Sequence, residues 1–318
     1  MKHLTFAAAL LLAAPVAAQN WDMPTPYGDS TFHTVNIAQF ADDVREATDG
    51  ALDITIHSAG SLFPHAEIKN AVRSRQVPIG EFLLSRLSNE DAAFELDAQP
   101  FVATSIEDAK TLWDAQKPVI TELLAEQGLM PLFSVPWPAQ GLYTNGQIDR
   151  VEDLSGLRFR AYNAALEEMA TIAGAAPVQV EVPDIPQAFS TGQVEAMITS
   201  SSTGANTSAW DYLSHFSPIN AWLPKNIVVV NQRMFDSLDA DVQQAVLDAA
   251  AAAEIRGWEM SAAEDAAKIA ELEAGGITVY PPSDTLTEGL QGIGAQMLEN
   301  WKADASEAGL SILSAFQE

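Results

Sequence analysis

The chain is 318 residues long, with 16 Lys+Arg against 43 Asp+Glu, a net charge of −27 at pH 7, and no cysteine. At about 150 residues per domain this length suits two domains, and 47% hydrophobic with 19% charged residues is too apolar for disorder. The acidity argues against nucleic-acid and anionic-membrane partners, and the lack of cysteine excludes disulfides, thiol nucleophiles and Cys-ligated metals.

Met1-Lys2-His3, the apolar run Leu4 to Ala14 and the small residues Pro15-Val16-Ala17-Ala18 form a secretory leader, with cleavage expected after Ala18. The apolar run is too short to span a bilayer, and no later stretch is long and apolar enough to do so, so an exported, soluble product is expected. Beyond Trp21, strand-like and helical runs alternate. Leu52 to Ile56 alternates as a half-buried strand does, Ala66 to Arg75 has helical periodicity, and Val77 to Leu84 is a short apolar run. Later, Leu157 to Arg160 reads as strand, Ala164 to Ala173 as helix, and Val194 to Ile198 and Ile227 to Val230 as strands. Such alternation predicts α/β layers with largely parallel sheets.

Glu67-Ile68-Lys69-Asn70-Ala71 through Gln76-Val77 aligns without a gap on Asp184-Ile185-Pro186-Gln187-Ala188 through Gln193-Val194. The repeat reads as two similar lobes whose strands end at a shared crevice, where open α/β sheets bind ligands. From about Asp239 to Ala274 the chain lacks proline and stops at Gly275-Gly276. A helix there, capped by Asp239 and ended by glycine, would be about 50 Å long and cross both lobes. Gly257, near its middle, is a candidate bend, or the point where two helices meet.

Catalytic signatures are missing: there is no HExxH, Gly-x-Ser-x-Gly, P-loop or Gly-x-Gly-x-x-Gly pattern. Of the histidines His33, His57, His65 and His215, the pair His57 and His65 flanks a glycine-containing turn and reads as surface loop. Paired-carboxylate hydrolysis stays open on residue types alone. Cations are scarce, which singles out Arg158 and Arg160 on a predicted strand. An arginine at a strand end offers a carboxylate a bidentate fork; a salt bridge to an internal acid is the competing reading of Arg160. Trp137, Trp222 and Ser200 to Thr203 stay ambiguous between core or loop and pocket wall.

Three stretches resemble the periplasmic solute-binding proteins of TRAP transporters, the DctP-like family: Ala66 to Val72, Asp153-Leu154-Ser155-Gly156-Leu157-Arg158-Phe159-Arg160, and Gln187-Ala188-Phe189-Ser190-Thr191-Gly192-Gln193-Val194-Glu195-Ala196. Their order, the leader and the long late helix add to the likeness, which spans the mature chain. The resemblance implies a two-lobed periplasmic-binding-protein-like fold, a ligand cleft between the lobes and a long helix crossing both. It implies lobe I from 19–137 plus about 226–265 and lobe II from 138–225 plus about 266–318. Arg160 looks like the family's carboxylate clamp, Asn163 a polar contact in the same loop, and Glu81 the equivalent strand end of the first lobe.

Ser200 stands where many relatives carry a carboxylate-binding Asn, and Gln140 near where some carry a second Arg, so one carboxylate with hydroxyls or apolar carbons is expected rather than a dianion. Trp137 and Trp222, with Tyr27 and Phe82, are candidate walls. The implied role is non-enzymatic: a periplasmic protein without cofactor or metal that captures a small organic acid and delivers it to a TRAP integral-membrane permease. A secreted bilobal hydrolase or lyase, and a binding protein serving an ABC permease or sensor, are the alternatives.

Overall fold

In the computed structural model, which describes residues 19–318, the chain builds two lobes; the expected leader, residues 1–18, lies outside the described residues. In the first lobe β1 (Gln19–Pro24), α1 (Phe32–Ala47) and β2 (Leu52–His57) form a parallel unit. It is followed by α2 (His65–Arg73), β3 (Ile79–Leu83), 3₁₀ turns at Leu84–Leu87 and Ala92–Ala98, α3 (Ile106–Ala125) and β4 (Leu129–Pro136). The second lobe holds β5 (Gln140–Thr144), β6 (Arg158–Ala161), α4 (Ala164–Ile172), β7 (Ala176–Gln179), α5 (Ile185–Ser190), β8 (Ala196–Ser200), α6 (Ser201–Asn206) and β9 (His215–Ser217). The chain then returns through β10 (Lys225–Asn231) and α7 (Gln232–Asp236) to α8 (Ala240–Gly275), β11 (Thr278–Val279), α9 (Asp284–Asp304) and α10 (Glu307–Gln317).

The expectation of largely parallel sheets is corrected. In the first lobe β10 lies between β3 and β4 and is antiparallel to both. In the six-stranded sheet of the second lobe, ordered β11-β9-β5-β8-β6-β7, β5 runs antiparallel to β8 and β9 while β6 is parallel to β7 and β8. The cause is the double crossing. The chain leaves the first lobe between β4 and β5 and returns into β10, so the two crossing segments run in opposite directions and bond as a ribbon. Trp137 N donates to Pro224 O at 2.8 Å, and Gln140 N to Trp222 O at 2.9 Å.

Both halves of the sequence repeat become a helix, a left-handed turn and a strand. Gln76 N reaches back to Ala71 O at 2.9 Å and Gln193 N to Ala188 O at 2.8 Å. The residues that reverse the chain, Arg75 and Gly192, have φ of 63° and 69°, the left-handed helix ending that glycine adopts without steric cost. The strands that follow, β3 and β8, end at Leu83 and Ser200, side by side at the crevice.

The long helix is a single 36-residue element whose C-cap Gly276 is left-handed at φ 106°. Asp239 occupies its N-cap position, but its side chain makes no capping hydrogen bond. The helix packs on α1 and β4 in the first lobe and on α6 in the second. Gly257 does not break it: a Cβ there would meet Val135 and lie 2.7 Å from Asn36 Nδ2, which donates to Ala253 O at 2.9 Å. Absence of a side chain therefore allows close packing. Gly257→Ala should lower the melting temperature, because overpacking costs about 1–3 kcal/mol and outweighs the gain in helix propensity of about 1 kcal/mol.

Helix α9 packs on α4 of the second lobe, whereas α10 packs on α3 and the Ala92–Ala98 turn of the first. Its apolar stripe, with Ile312 and Leu313 buried, covers the core around Trp113 and Ile120. No helix of the described residues is long and apolar enough to cross a membrane.

Candidate functional site

Strand β6 explains the different fates of its two arginines. Arg158 opens the strand, exposed, and pairs with Glu195 at 3.1 Å. Arg160, two residues nearer the C-terminal end, is 1% exposed. Its Nε donates to Val180 O at 2.9 Å, and its guanidinium carbon lies 4.8 Å from the centre of the Tyr162 ring, a cation–π distance. Among the described residues no carboxylate lies within salt-bridge distance of it, which disposes of the internal-salt-bridge reading. Burial pulls its pKa down from the usual value, with Tyr162 and Glu181 acting the other way; arginine starts so high that it keeps its proton. Arg160 forms part of the wall of a small cavity between the lobes.

The first lobe supplies Tyr27, His65 and Leu83 to this cavity, the crossing ribbon Trp137, Gln140 and Pro224, and the second lobe Arg160, Tyr162, Glu181, Val182, Thr199, Ser200 and Thr203. Of the residues singled out in the sequence, Arg160, Gln140, Ser200, Trp137 and Tyr27 therefore meet at one place. Ser200 caps α6: its hydroxyl accepts from Thr203 N at 3.0 Å and donates to Thr203 Oγ1 at 3.1 Å. Gln140 is held by donation to Pro138 O at 2.8 Å, and its Oε1 accepts from Tyr162 Oη at 3.0 Å.

Four expected contacts stand elsewhere. Phe82 points to the opposite face of β3 from its neighbour Leu83, as strand alternation requires, and joins the core with Phe94 and Trp113. Trp222 sits behind the wall, its Nε1 donating to Tyr162 Oη at 3.0 Å. Asn163 caps α4 through Leu166 N at 2.9 Å and donates to Ser85 Oγ of the other lobe at 2.9 Å, which uses its amide for capping and cross-lobe contact. Glu81 shares the face of Leu83 but lies two residues deeper. It accepts from Thr25 Oγ1 at 2.6 Å and Asn226 Nδ2 at 2.9 Å. Asn226 Oδ1 in turn accepts from Trp137 Nε1 at 2.9 Å and Tyr27 Oη at 3.2 Å. Glu81 thus orients the asparagine that holds two wall residues.

Burial pushes Glu81 up to about 7, against the lowering effect of Thr25 and Asn226, and pulls His33, 3.5 Å away, well down. Between pH 4.5 and 7 the folded protein keeps a proton that the unfolded chain releases. The contribution of Glu81 is thus complete below about 4.5 and declines as pH rises through 7, by about 3 kcal/mol in all. The difference in stability between the parent and Glu81→Gln, followed by thermal melts across this range, should show that decline, because the opposite contribution of His33 is common to both proteins.

Three neighbours escaped the sequence reading. His65, expected on a surface loop, is buried: its Nε2 accepts from Leu83 N at 3.0 Å, so the neutral ring carries its proton on Nδ1, 3.2 Å from Glu181 Oε2. Arg86, in the 3₁₀ turn after β3, donates to Tyr162 O at 3.1 Å and forms an ion pair with Glu181, its Nη1 2.9 Å from Oε1. Burial alone would raise Glu181, but the His65 hydrogen bond and the charges of Arg86 and Arg160 draw it down to about 2. Glu181 is the one carboxylate among the described residues lining the cavity, and it is already occupied. The free recognition elements are one cation, several neutral hydrogen-bonding groups and the apolar faces of Leu83, Trp137, Val182 and Pro224, which together suit a small monocarboxylate.

The model of the family described as bacterial extracellular solute-binding protein, family 7 (DctP), matches residues 26–304. DctP6 of Bordetella pertussis, an extracytoplasmic solute receptor that binds pyroglutamic acid, is similar at 40% identity and a TM-score of 0.93, covering 94% of this chain and 99% of its own. DctP7 of the same organism, described in the same terms, is 42% identical with a TM-score of 0.93 and covers 95% and 100%. A marine-metagenome TRAP solute-binding protein specific for pyroglutamate, with co-purified pyroglutamate bound, is 38% identical with a TM-score of 0.92 and covers 94% and 99%.

Proposed function

We propose that this chain, which belongs to the DctP family of bacterial extracellular solute-binding proteins (family 7), captures pyroglutamate or a closely similar cyclic monocarboxylate and hands it to a TRAP integral-membrane permease. Within that reading, its place as an extracytoplasmic receptor for a small organic acid is common ground with its relatives. The finer reading puts it in the periplasm, behind a leader cleaved after Ala18.

The observation that carries the ligand assignment is Arg160, buried and without a carboxylate partner at the cavity. A buried cation costs free energy unless it is paired, and a ligand carboxylate supplies the pair. The absence of a second uncommitted cation among the described residues lining the cavity favours one carboxylate over two. A five-membered lactam leaves one carbonyl and one N–H to satisfy, matched by the Thr199, Thr203 and Gln140 groups and the Tyr162 edge. The similar proteins that bind pyroglutamate support the choice.

We take the lobes to be 19–137 with about 226–265, and 138–225 with the chain up to the end of α9, α10 returning to the first. Closure around the ligand follows from contacts made by both lobes, which favour the closed state by differential affinity. Non-enzymatic action is part of this reading: Glu181 is held by Arg86 and His65 and has no second carboxylate across the cavity to share acid–base work.

Isothermal titration of the purified mature protein with L-pyroglutamate, and with glutamate, succinate and glucuronate for comparison, tests the assignment. Stoichiometric binding of pyroglutamate, recovered unchanged, is expected. Conversion of the ligand would favour the hydrolase reading, and preferential binding of a dicarboxylate would overturn the choice of ligand.

A further inference from the structure

The lobes touch directly beside the cavity. Glu181 follows β7 in the second lobe and lines both this cavity and a neighbouring cleft beside Pro26, Gly60 and Pro183. Its two oxygens are divided between two residues of the first lobe: Oε1 with Arg86 Nη1 at 2.9 Å, Oε2 with His65 Nδ1 at 3.2 Å. The His65 ring is oriented by Leu83 N at its other nitrogen, and the bond from Arg86 to Tyr162 O is a further contact between the lobes.

We propose that Glu181 is a latch residue, whose carboxylate is gripped by Arg86 and His65 only when the lobes meet and which thereby sets how long a captured ligand is retained. The ligand readout of this proposal rests on the pyroglutamate reading; the conformational readout does not. Separation of the lobes breaks both contacts at once and returns Glu181 and Arg86 to water, so the pair acts on the open–closed equilibrium without touching the ligand's carboxylate. Two half-buried partners and a fixed imidazole make this more than a freely exposed ion pair, since side-chain 36% exposure of Glu181 is matched by 19% for Arg86 and 5% for His65. Asn163 and Ser85 add a neutral strut between the same lobes. The latch is a positioning device, and its expected signature is kinetic: escape of ligand quickens while capture is little changed.

The cysteine-free chain allows spin labels at Asn70→Cys and Gln187→Cys, exposed equivalents in the two halves of the repeat. In ligand-free protein the distance distribution should shift toward longer separations in Glu181→Gln and Arg86→Met alike. With pyroglutamate in stopped flow, dissociation should quicken about tenfold in each variant, with association within about threefold of the parent, and the double variant should fall clearly short of the product of the two single effects, because the Arg86–Glu181 pair is shared while the His65 and Tyr162 contacts are not. Unchanged ligand-free distances in both variants, or additive effects in the double variant, would overturn the latch. If the parent does not bind pyroglutamate, the ligand assignment fails, while the distance measurement still decides the latch.

Discussion

Arg160→Ala should abolish measurable pyroglutamate binding while the ligand-free protein stays as stable as its parent or becomes more so. Two opposed effects give this outcome. In the bound state the guanidinium meets a carboxylate in a site shielded from water, and removing one partner of such a pair costs about 2–5 kcal/mol, a loss of affinity of about 30-fold to several thousand-fold. In the free state the same guanidinium is 1% exposed and lacks a carboxylate within salt-bridge distance, so the fold carries a desolvation cost that alanine removes. Against this stand the lost bond to Val180 O and the lost contact with the Tyr162 ring, each about 1 kcal/mol. Calorimetry with ligand and thermal melts without it measure the two effects separately. A variant that binds normally removes the premise of the ligand assignment; one that unfolds shows that Arg160 is structural first. Arg160→Met, which keeps most of the stem's packing, separates these cases.

The framework was readable where local pattern and tertiary role coincide. The runs at 52–56, 157–160, 194–198 and 227–230 lie on β2, β6, β8 and β10, because alternation and β-branched residues record burial directly. The repeat was readable for a similar reason: two helix ends share their Gln-Val exit and the same bond back to alanine. Strand direction was not, since nothing local tells β5 and β10 apart from parallel strands; the antiparallel arrangement comes from crossing twice between lobes. Gly257 carried a signal that local pattern could not resolve, although the helix runs through it unbroken. A glycine inside a long helix marks either a bend or a close neighbour, and Val135 supplies the neighbour.

The site divides along the same line. Arg160 stood out because cations are scarce and its strand end faces the crevice. Phe82 was misplaced by one residue of alternation, with Leu83 being the one that reaches the cavity. His65, Arg86 and Glu181 were invisible as a group. Separated by 116 positions in the case of His65 and Glu181, they meet only because two lobes close on each other, and each alone has the residue type of an ordinary surface. Tyr162 was passed over although it follows Arg160 by two positions, because the chemistry of a tyrosine there depends on Gln140 and Trp222, which hold its hydroxyl.

Asp97→Ala should be the most damaging single substitution outside the ligand cavity, lowering stability by about 3–5 kcal/mol. Asp97 lies in the 3₁₀ turn Ala92–Ala98, and its Oδ2 accepts from Lys225 N at 2.7 Å with Lys225 Nζ at 3.5 Å; both side chains are 0% exposed. Burial pushes Asp97 up and Lys225 down, and each charge opposes the shift of the other. Removal of the aspartate leaves an ammonium with no counter-charge at the first residue of β10, where the crossing ribbon enters the sheet of the first lobe. The loss should appear as a fall of about 5–8 °C in the melting temperature of the ligand-free protein. Restoring neutrality is the discriminating arm. Lys225→Met added to Asp97→Ala should recover most of the loss, because two matched apolar groups avoid the desolvation cost that the ion pair only partly offsets. If the double variant melts as low as the single one, the aspartate acts through its bond to Lys225 N, by fixing the entry of β10, and not through its charge.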